Sequence, residues 1–435
     1  MKRYALKKLE EWKNKENRKP LLLQGARQVG KTWLLKEFGK ECFENTAYVS
    51  FYDNETAKNI FKETYNLDHI ISALEVVCDT KIVAGKTLII LDEIQECDRA
   101  FNALKFFNEN AKDYHIAVAG SLLGVAVKHK KLSFPVGQVD FLTLYPLSFC
   151  EFLEAMGQQF MVNHIVQKNT DVITMIAETY TNMLRTYMFV GGMPEAVKTF
   201  VDTKNYEEVR EIQNAIIKGH ENDFAKYTKP SDVARIRNVW NSIPAQLAKE
   251  NKKFTYADVK DKARGRDYQN ALEWLSISGL IHLVHKISKP DLPLAGYEDS
   301  TSFKAYMIDT GLLCAKAGLS MQTVVEGNKL FEEFKGALTE QYVLQELVTM
   351  PNLPVAYWKA KADAELDFVI QYEDKIIPIE VKSSARVQAK SLRFYREKYA
   401  PAKSVRTSLR PYNYHDGLYE VPLYMMESLL DIIAD

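Results

Sequence analysis

Cysteine is scarce and scattered in this chain of 435 residues. Cys42, Cys78, Cys97, Cys150 and Cys314 form no CxxC pair and lie at no short spacing from histidine. That excludes a disulfide framework and a zinc site, and it fits a reducing compartment. Long apolar runs are also missing. The longest uncharged one, Ile116 to Val127, falls short of the roughly 18 residues that span a bilayer. Met1-Lys2-Arg3-Tyr4 leads into a charged stretch with no apolar signal-peptide core. The expectation is a soluble, cytoplasmic protein with no membrane partner. Net charge is absent too, because 57 Lys plus Arg offset 57 Asp plus Glu. No internal repeat or low-complexity tract is present.

What is present is the balance of a globular protein, with 46% hydrophobic and 26% charged residues. At about 150 residues per domain, the length predicts a multidomain chain. The zero charge is a cancellation: residues 1–40 carry a net +8, residues 381–410 another +8, and the rest −16. Neutrality therefore does not exclude a nucleic-acid partner; it locates where one would bind.

Strands alternate with helices over residues 1–155, at Leu21–Leu23, Ala47–Tyr52, Thr87–Leu91 and His115–Ala119, which predicts a parallel sheet covered on both faces. Residues 156–230 read as helical, broken at Gly191-Gly192-Met193-Pro194. Residues 231–300, with helices at Val233–Leu247 and Asp267–Ser278 before a β-rich Leu280–Ile287, follow the order of a winged helix. Residues 301–435 read as helix (Lys329–Val348), three strands and helix (Val387–Tyr399).

Gly25-Ala26-Arg27-Gln28-Val29-Gly30-Lys31-Thr32 fits GxxxxGK[ST] at every fixed position, between an apolar strand and a helix. Glycines let the backbone curl so that N–H groups face phosphate oxygens, and the helix N-terminus adds partial positive charge. Lys31 would reach the β- and γ-phosphates of ATP, and Thr32 would offer its hydroxyl to Mg²⁺. Thr87 to Glu93 reads as a buried strand ending in two acids. Asp92 is placed to hold the Mg²⁺ and Glu93 to orient or deprotonate the attacking water. Ser121, after the next strand, is a candidate γ-phosphate sensor, although a Gly-Ser there is often only a turn. Neither Arg99 nor Arg185 can be chosen as an arginine finger.

A second constellation lies near the C-terminus. Glu340 is on a predicted helix, Asp367 on a strand, and Glu380 and Lys382 share a face of the next strand. This ordered set resembles the PD-(D/E)xK nuclease core, in which carboxylates hold Mg²⁺ and a lysine steers the nucleophile. Asp367 and Glu380 would then be metal ligands. Glu-x-Lys alone says little, because cross-strand ion pairs produce it often. Arg386, Lys390 and Arg393 recur at helical spacing beside these acids, as a stripe suited to a DNA backbone.

GARQVGKT, LIILDEIQ, LYPLSFCEFL, GGMPEAV and DFVI…IPIEVKSS together resemble the bacterial and archaeal AAA-type ATPases that carry a C-terminal nuclease-like domain of unknown function. The resemblance implies an α/β fold: an N-terminal phosphate-loop ATPase with a parallel sheet, a helical and winged-helix middle, and a C-terminal α/β nuclease-like fold. It implies ATP and Mg²⁺ at Lys31, Thr32 and Asp92, with Glu93 as the catalytic acid. Relatives of this type often form rings, so a homo-oligomer is compatible with it. Gly137-Gln138 stands where relatives often carry a basic residue after the glycine. Tyr357-Trp358-Lys359 stands where an arginine usually follows the Trp. Two functions follow as expectations: an ATPase whose tail binds or cuts nucleic acid, or an ATP-controlled binding protein with a catalytically silent tail.

Overall fold

The computed structural model describes residues 1–121, 137–261, 263–327, 332–360, 364–384 and 390–434. Two compact units emerge, one of Arg3–Tyr145 with Ile277–Gly279, the other of Met1–Lys2, Pro146–Ser276 and Leu280–Asp435.

The first unit is a parallel sheet wrapped by helices. Its elements run α1 (Ala5–Lys13), β1 (Leu21–Gly25), α2 (Lys31–Cys42), β2 (Asn45–Ser50), α3 (Glu55–Glu63), α4 (Leu67–Cys78), β3 (Thr87–Asp92), α5 (Asp98–Asn110), β4 (His115–Ser121) and β5 (Asp140–Thr143). The strand order is β2-β3-β4-β1-β5, with every neighbouring pair parallel. β3 is buried along its whole length, and Leu21, Leu22 and Leu23 of β1 are buried as well. Continuous apolar runs belong in strands covered on both faces, and Thr87–Leu91 is such a run. A core of Phe51, Phe61, Ile89, Phe101, Leu104 and their neighbours closes one side. β4 lies between β1 and β3, so the phosphate loop, the tip of β4 and the acids of β3 open at one edge. The register pairs Gly25 with Ser121 and Leu91 with Val118.

The second unit begins with helices α6 (Phe149–Ala155), α7 (Gln159–Val166), α8 (Thr170–Met175), α9 (Ala177–Val190), α10 (Pro194–Thr203), α11 (Tyr206–Tyr227), α12 (Pro230–Leu247) and α13 (Gly265–Ile277). Strands β6 (Ile281–Ile287) and β7 (Glu298–Met307), α14 (Thr310–Lys316), α15 (Glu332–Leu347), β8 (Val355–Lys359), β9 (Glu365–Tyr372) and β10 (Lys375–Val381) follow. The unit ends with α16 (Lys390–Tyr399), β11 (Ser404–Ser408), β12 (Asn413–His415), β13 (Leu418–Pro422) and α17 (Leu429–Ala434). Its eight-stranded sheet has the order β12-β13-β11-β10-β9-β8-β6-β7.

Here the structure departs from the predicted division of the chain. The hairpin read as the wing of a separate 231–300 module pairs with β8, His285 to Ala356 and Ile287 to Trp358. A boundary at 300/301 would cut β7. The physical reason is burial: Ile281, Val284, Ile287, Phe303, Ala305 and Met307 are all buried, and a free wing would leave such a hairpin wet. Similarly, the first unit closes at Tyr145, ahead of residue 155.

Two of the sequence motifs meet in this unit. Leu147 donates its N–H to Gly192 O at 2.7 Å, and a Cβ on Gly192 would stand 2.2 Å from Leu147 O. Asp309, the N-cap of α14, accepts the Gly192 N–H at 2.6 Å. Ser148 and Glu151 form a capping box at the start of α6. LYPLSF and GGMP are therefore one packed joint, in which the glycines admit a carbonyl and a carboxylate. Among the described residues, no helix is long and apolar enough to cross a membrane.

Candidate nucleotide site and acid cluster

The loop between β1 and α2 has the backbone its sequence demands. Gly30 is left-handed at φ 94° and Gln28 at φ 66°. Gly25 could not carry a side chain, because its Cβ would lie 2.4 Å from Leu144 O. Ala26 and Val29 are buried while Arg27 and Gln28 are exposed, so the turn is anchored by its apolar members. Lys31, the first residue of α2, folds its ammonium back onto Gly25 O (3.0 Å) and Ala26 O (2.8 Å). Burial pulls this lysine down to about 8, against the opposing pull of Glu93 and Asp92. A desolvated ammonium satisfied only by carbonyls is a cation awaiting a stronger anion, which fits a phosphate.

Thr32 Oγ1 donates to Asp92 Oδ2 at 2.7 Å, and Tyr48 Oη donates to the same oxygen at 3.1 Å. Burial and then Asp92 raise the Tyr48 phenol to about 12, so it remains a donor. A hydroxyl and a carboxylate in direct contact at the foot of a phosphate loop fit Mg²⁺. Asp92 Oδ1 accepts the Glu93 N–H at 2.9 Å. Glu93 is left-handed at φ 51°, a strained position for a non-glycine. Gln95 Nε2 donates to Glu93 Oε2. Ser121 ends β4 opposite Gly25, within the same edge of the sheet. The structure thus brings together Lys31, Thr32, Asp92, Glu93 and Ser121.

Arg3 was not foreseen. It is buried and donates to Val29 O at 3.0 Å and Tyr145 O at 2.6 Å, tying the phosphate loop to the end of the unit. Only a basic lead-in was legible there. Tyr48 and Gln95 were equally unforeseen.

Residues 17–153 match the AAA domain family. The phosphate loop, Asp92 and Glu93 all lie inside that AAA domain. Residues 181–323 and 335–426 match two domains of unknown function, DUF8612 and DUF4143. Uncharacterised proteins of Mycobacterium tuberculosis and Mycobacterium bovis are each 26% identical over 198 residues, 45% of this chain. The matched region spans 42% of the length of these curated relatives. Among solved structures, a Walker-type ATPase of Pyrococcus abyssi is 14% identical with a TM-score of 0.47, covering 72% of this chain and 94% of its own. The ORC1 protein of Aeropyrum pernix, solved with DNA, is 12% identical with a TM-score of 0.31, covering 78% and 93%.

The second constellation lies on the elements expected of it, Glu340 on α15, Asp367 on β9 and Glu380 at the end of β10. Asp367 Oδ2 accepts the Val381 N–H at 2.7 Å, and Lys382 pairs with Glu380 at 3.0 Å. The cluster also holds residues that sequence reasoning missed. Lys252, from the segment after α12, pairs with Glu340 Oε1. Lys304 of β7, 1% exposed, lies 2.7 Å from Glu365 and 3.8 Å from Glu340. Tyr306 Oη donates to Glu340 Oε2 at 3.0 Å, and Lys359 pairs with Glu365 at 2.9 Å. Burial would lower the Lys304 ammonium, but Glu340 and Glu365 hold it above its ordinary range. Burial, and then Glu340, raises the Asp367 carboxyl. Among the described residues, no three His, Cys, Asp or Glu side chains are grouped to hold a metal. Asp367 and Glu380, the expected metal ligands, are held here by a backbone N–H and by the Lys382 ammonium respectively.

Of the basic stripe, Lys390 and Arg393 are exposed on α16, and Arg386 lies outside the described residues. Arg393 pairs with Glu397 at 2.8 Å. Beside it a cleft of about 770 Å³ is lined by Arg393, Arg396, Arg406 and Tyr414, with Glu397 and Asp416. Tyr414 is 54% exposed.

Proposed function

We propose that this chain is a Mg²⁺-dependent ATPase whose C-terminal half binds nucleic acid without cutting it. The observation that carries the first part is the contact of Thr32 with Asp92 beside the buried Lys31 ammonium. Lys31 and the loop N–H groups would hold the β- and γ-phosphates, and Thr32 with Asp92 would hold Mg²⁺. The metal supplies charge neutralisation on the phosphates when bound. Glu93, held by Gln95, would orient the attacking water and take its proton. Ser121 would sense the γ-phosphate from the tip of β4. Lys31→Ala is expected to abolish ATP turnover; turnover unchanged in that variant would refute the assignment.

Support for the second part is the exposed Lys390 and Arg393, the arginine-lined cleft with Tyr414 at its rim, and the net +8 of residues 381–410. The Arg393–Glu397 pair is exposed on both sides, so it contributes little and yields readily to a polyanion, whereas Arg406 is held by the buried Glu420. A base stacked on Tyr414 and phosphates on Arg393 and Arg396 suit a single strand. DNA binding is expected to weaken steeply with salt, with the slope of log K against log salt reduced by about 1 for each phosphate contact removed in Lys390→Ala and Arg393→Ala. A salt-independent affinity would refute this part. The pairing of the acid cluster with lysines favours the silent tail over the cutting one.

A further inference from the structure

The acids of the C-terminal sheet have the order and strand positions of a metal-dependent nuclease, yet most of their oxygens are engaged elsewhere. Glu340 gives Oε1 to Lys252 and Oε2 to Tyr306, with Lys304 at 3.8 Å. Glu365 gives one oxygen to Lys304 and the other to Lys359. Asp367 gives Oδ2 to a backbone N–H, and Glu380 gives Oε1 to Lys382. Counted by charge, Glu340, Glu365, Asp367 and Glu380 face Lys252, Lys304, Lys359 and Lys382, four against four. Glu380 Oε2 is buried with no hydrogen-bond partner, and the Lys382 ammonium stands beside it, 3.0 Å from the other oxygen of the same carboxylate.

We infer that Lys252 and Lys304 occupy the place of the divalent cation, so that this acid cluster is a closed ion-pair core and not a metal centre. Two features argue for a built arrangement. Lys304 comes from β7, the hairpin strand that the sheet incorporates beside β6, and it is 1% exposed. An ammonium that deep is retained only where carboxylates offset its desolvation. Lys252 comes from a different element, the segment joining α12 to α13, and its side chain is 16% exposed. The lysines thus come from the segment N-terminal to the acid-bearing elements, which explains why the acids alone resemble a nuclease. This inference bears only on the silent-tail part of the proposed function; ATP hydrolysis is independent of it.

The test is a Mn²⁺ titration followed by electron paramagnetic resonance. It uses the full chain carrying Lys31→Ala and Asp92→Asn, so that the nucleotide site contributes no metal. No Mn²⁺ uptake below millimolar concentration is expected, and Asp367→Asn added to that protein should change nothing. One equivalent bound at micromolar concentration and lost in Asp367→Asn would overturn the inference. Lys304→Ala, checked for its fold by circular dichroism, is expected to gain a Mn²⁺ site that Asp367→Asn removes. A folded Lys304→Ala protein that gains none would overturn the role given to the lysine. If Lys304→Ala does not fold, Lys252→Ala in the same full chain carries the comparison, a folded variant that gains no Mn²⁺ site again overturning the role given to the lysines. Incubated with Mg²⁺ or Mn²⁺, the unaltered protein should leave linear, nicked and single-stranded DNA intact. Cleavage that disappears in Glu380→Gln would also overturn the inference.

Discussion

Lys31 shows how burial and chemistry are joined in one side chain. Its folded-state value of about 8 lies below the ordinary 10.5, so below pH 8 the nucleotide-free protein carries an ammonium at a cost. Between pH 8 and 10.5 the unfolded chain holds a proton that the folded chain has released. Stability of the nucleotide-free protein is therefore expected to rise with pH through that window. Lys31→Met removes the buried charge, so it should raise the thermal midpoint at pH 7 while abolishing ATP binding, a combination that simple misfolding would not produce. ATP affinity should fall above pH 8 as the lysine loses its charge, and calorimetry in buffers of different ionisation enthalpy should detect proton uptake on binding near pH 8. Glu93→Gln separates binding from chemistry. It should leave ATP affinity within a few fold and lower kcat by about 10²–10⁴, and an unaltered kcat would assign the base elsewhere. Lys31, Thr32, Asp92 and Glu93 were legible in the sequence because fixed spacings put them at strand and helix ends. Arg3, Tyr48, Lys252 and Lys304 were not, because each meets its partner from a distant segment and no local pattern marks it.

Elements that follow one period strongly were legible, and those defined by pairing alone were not. The apolar run of β3 and the strand–loop–helix around Gly30 could be read directly. β11, Ser-Val-Arg-Thr-Ser, lacks an apolar alternation, yet Ser404, Thr407 and Ser408 are buried because β10 and β13 flank it. β6 read as the end of a winged-helix module because β8, the partner that makes it part of the larger sheet, lies far along the chain. The joint of LYPLSF with GGMP supplies a test at this scale. Gly192→Ala would drive a Cβ to 2.2 Å from Leu147 O, and backbone on both sides cannot yield as a flexible side chain would. It should lower stability by about 3 kcal/mol. Gly318 is also left-handed, at φ 67°, but a Cβ there meets nothing within 4 Å. Gly318→Ala should cost only the backbone term of about 1 kcal/mol. Equal urea midpoints for the two variants would show that the close approach at Gly192 is not a determinant of stability.

At the scale of the whole molecule, charge is the property that composition alone hides. The pI is about 7.1, so at neutral pH copies of the chain meet with no net repulsion. The charge is nonetheless segregated, +8 in residues 1–40, +8 in residues 381–410 and −16 in the remainder. Basic segments of one copy can therefore face the acidic remainder of another. At 0.01 M salt the screening length is about 30 Å and this attraction acts; at 0.1 M it is about 10 Å, and it falls further above that. Sedimentation equilibrium at pH 7 should then show a mass above the monomer at 0.02 M salt that returns toward the monomer by 0.3 M. At pH 9, partial loss of lysine charge leaves the chain net negative and should weaken the association further. An ATPase ring would behave in the opposite way, because packing and bound nucleotide hold it together rather than long-range charge. Its mass should persist at 0.3 M salt and depend on ATP and on Lys31. A mass independent of salt but raised by ATP would therefore assign self-association to the AAA domain, and a monomer under every condition would exclude both routes.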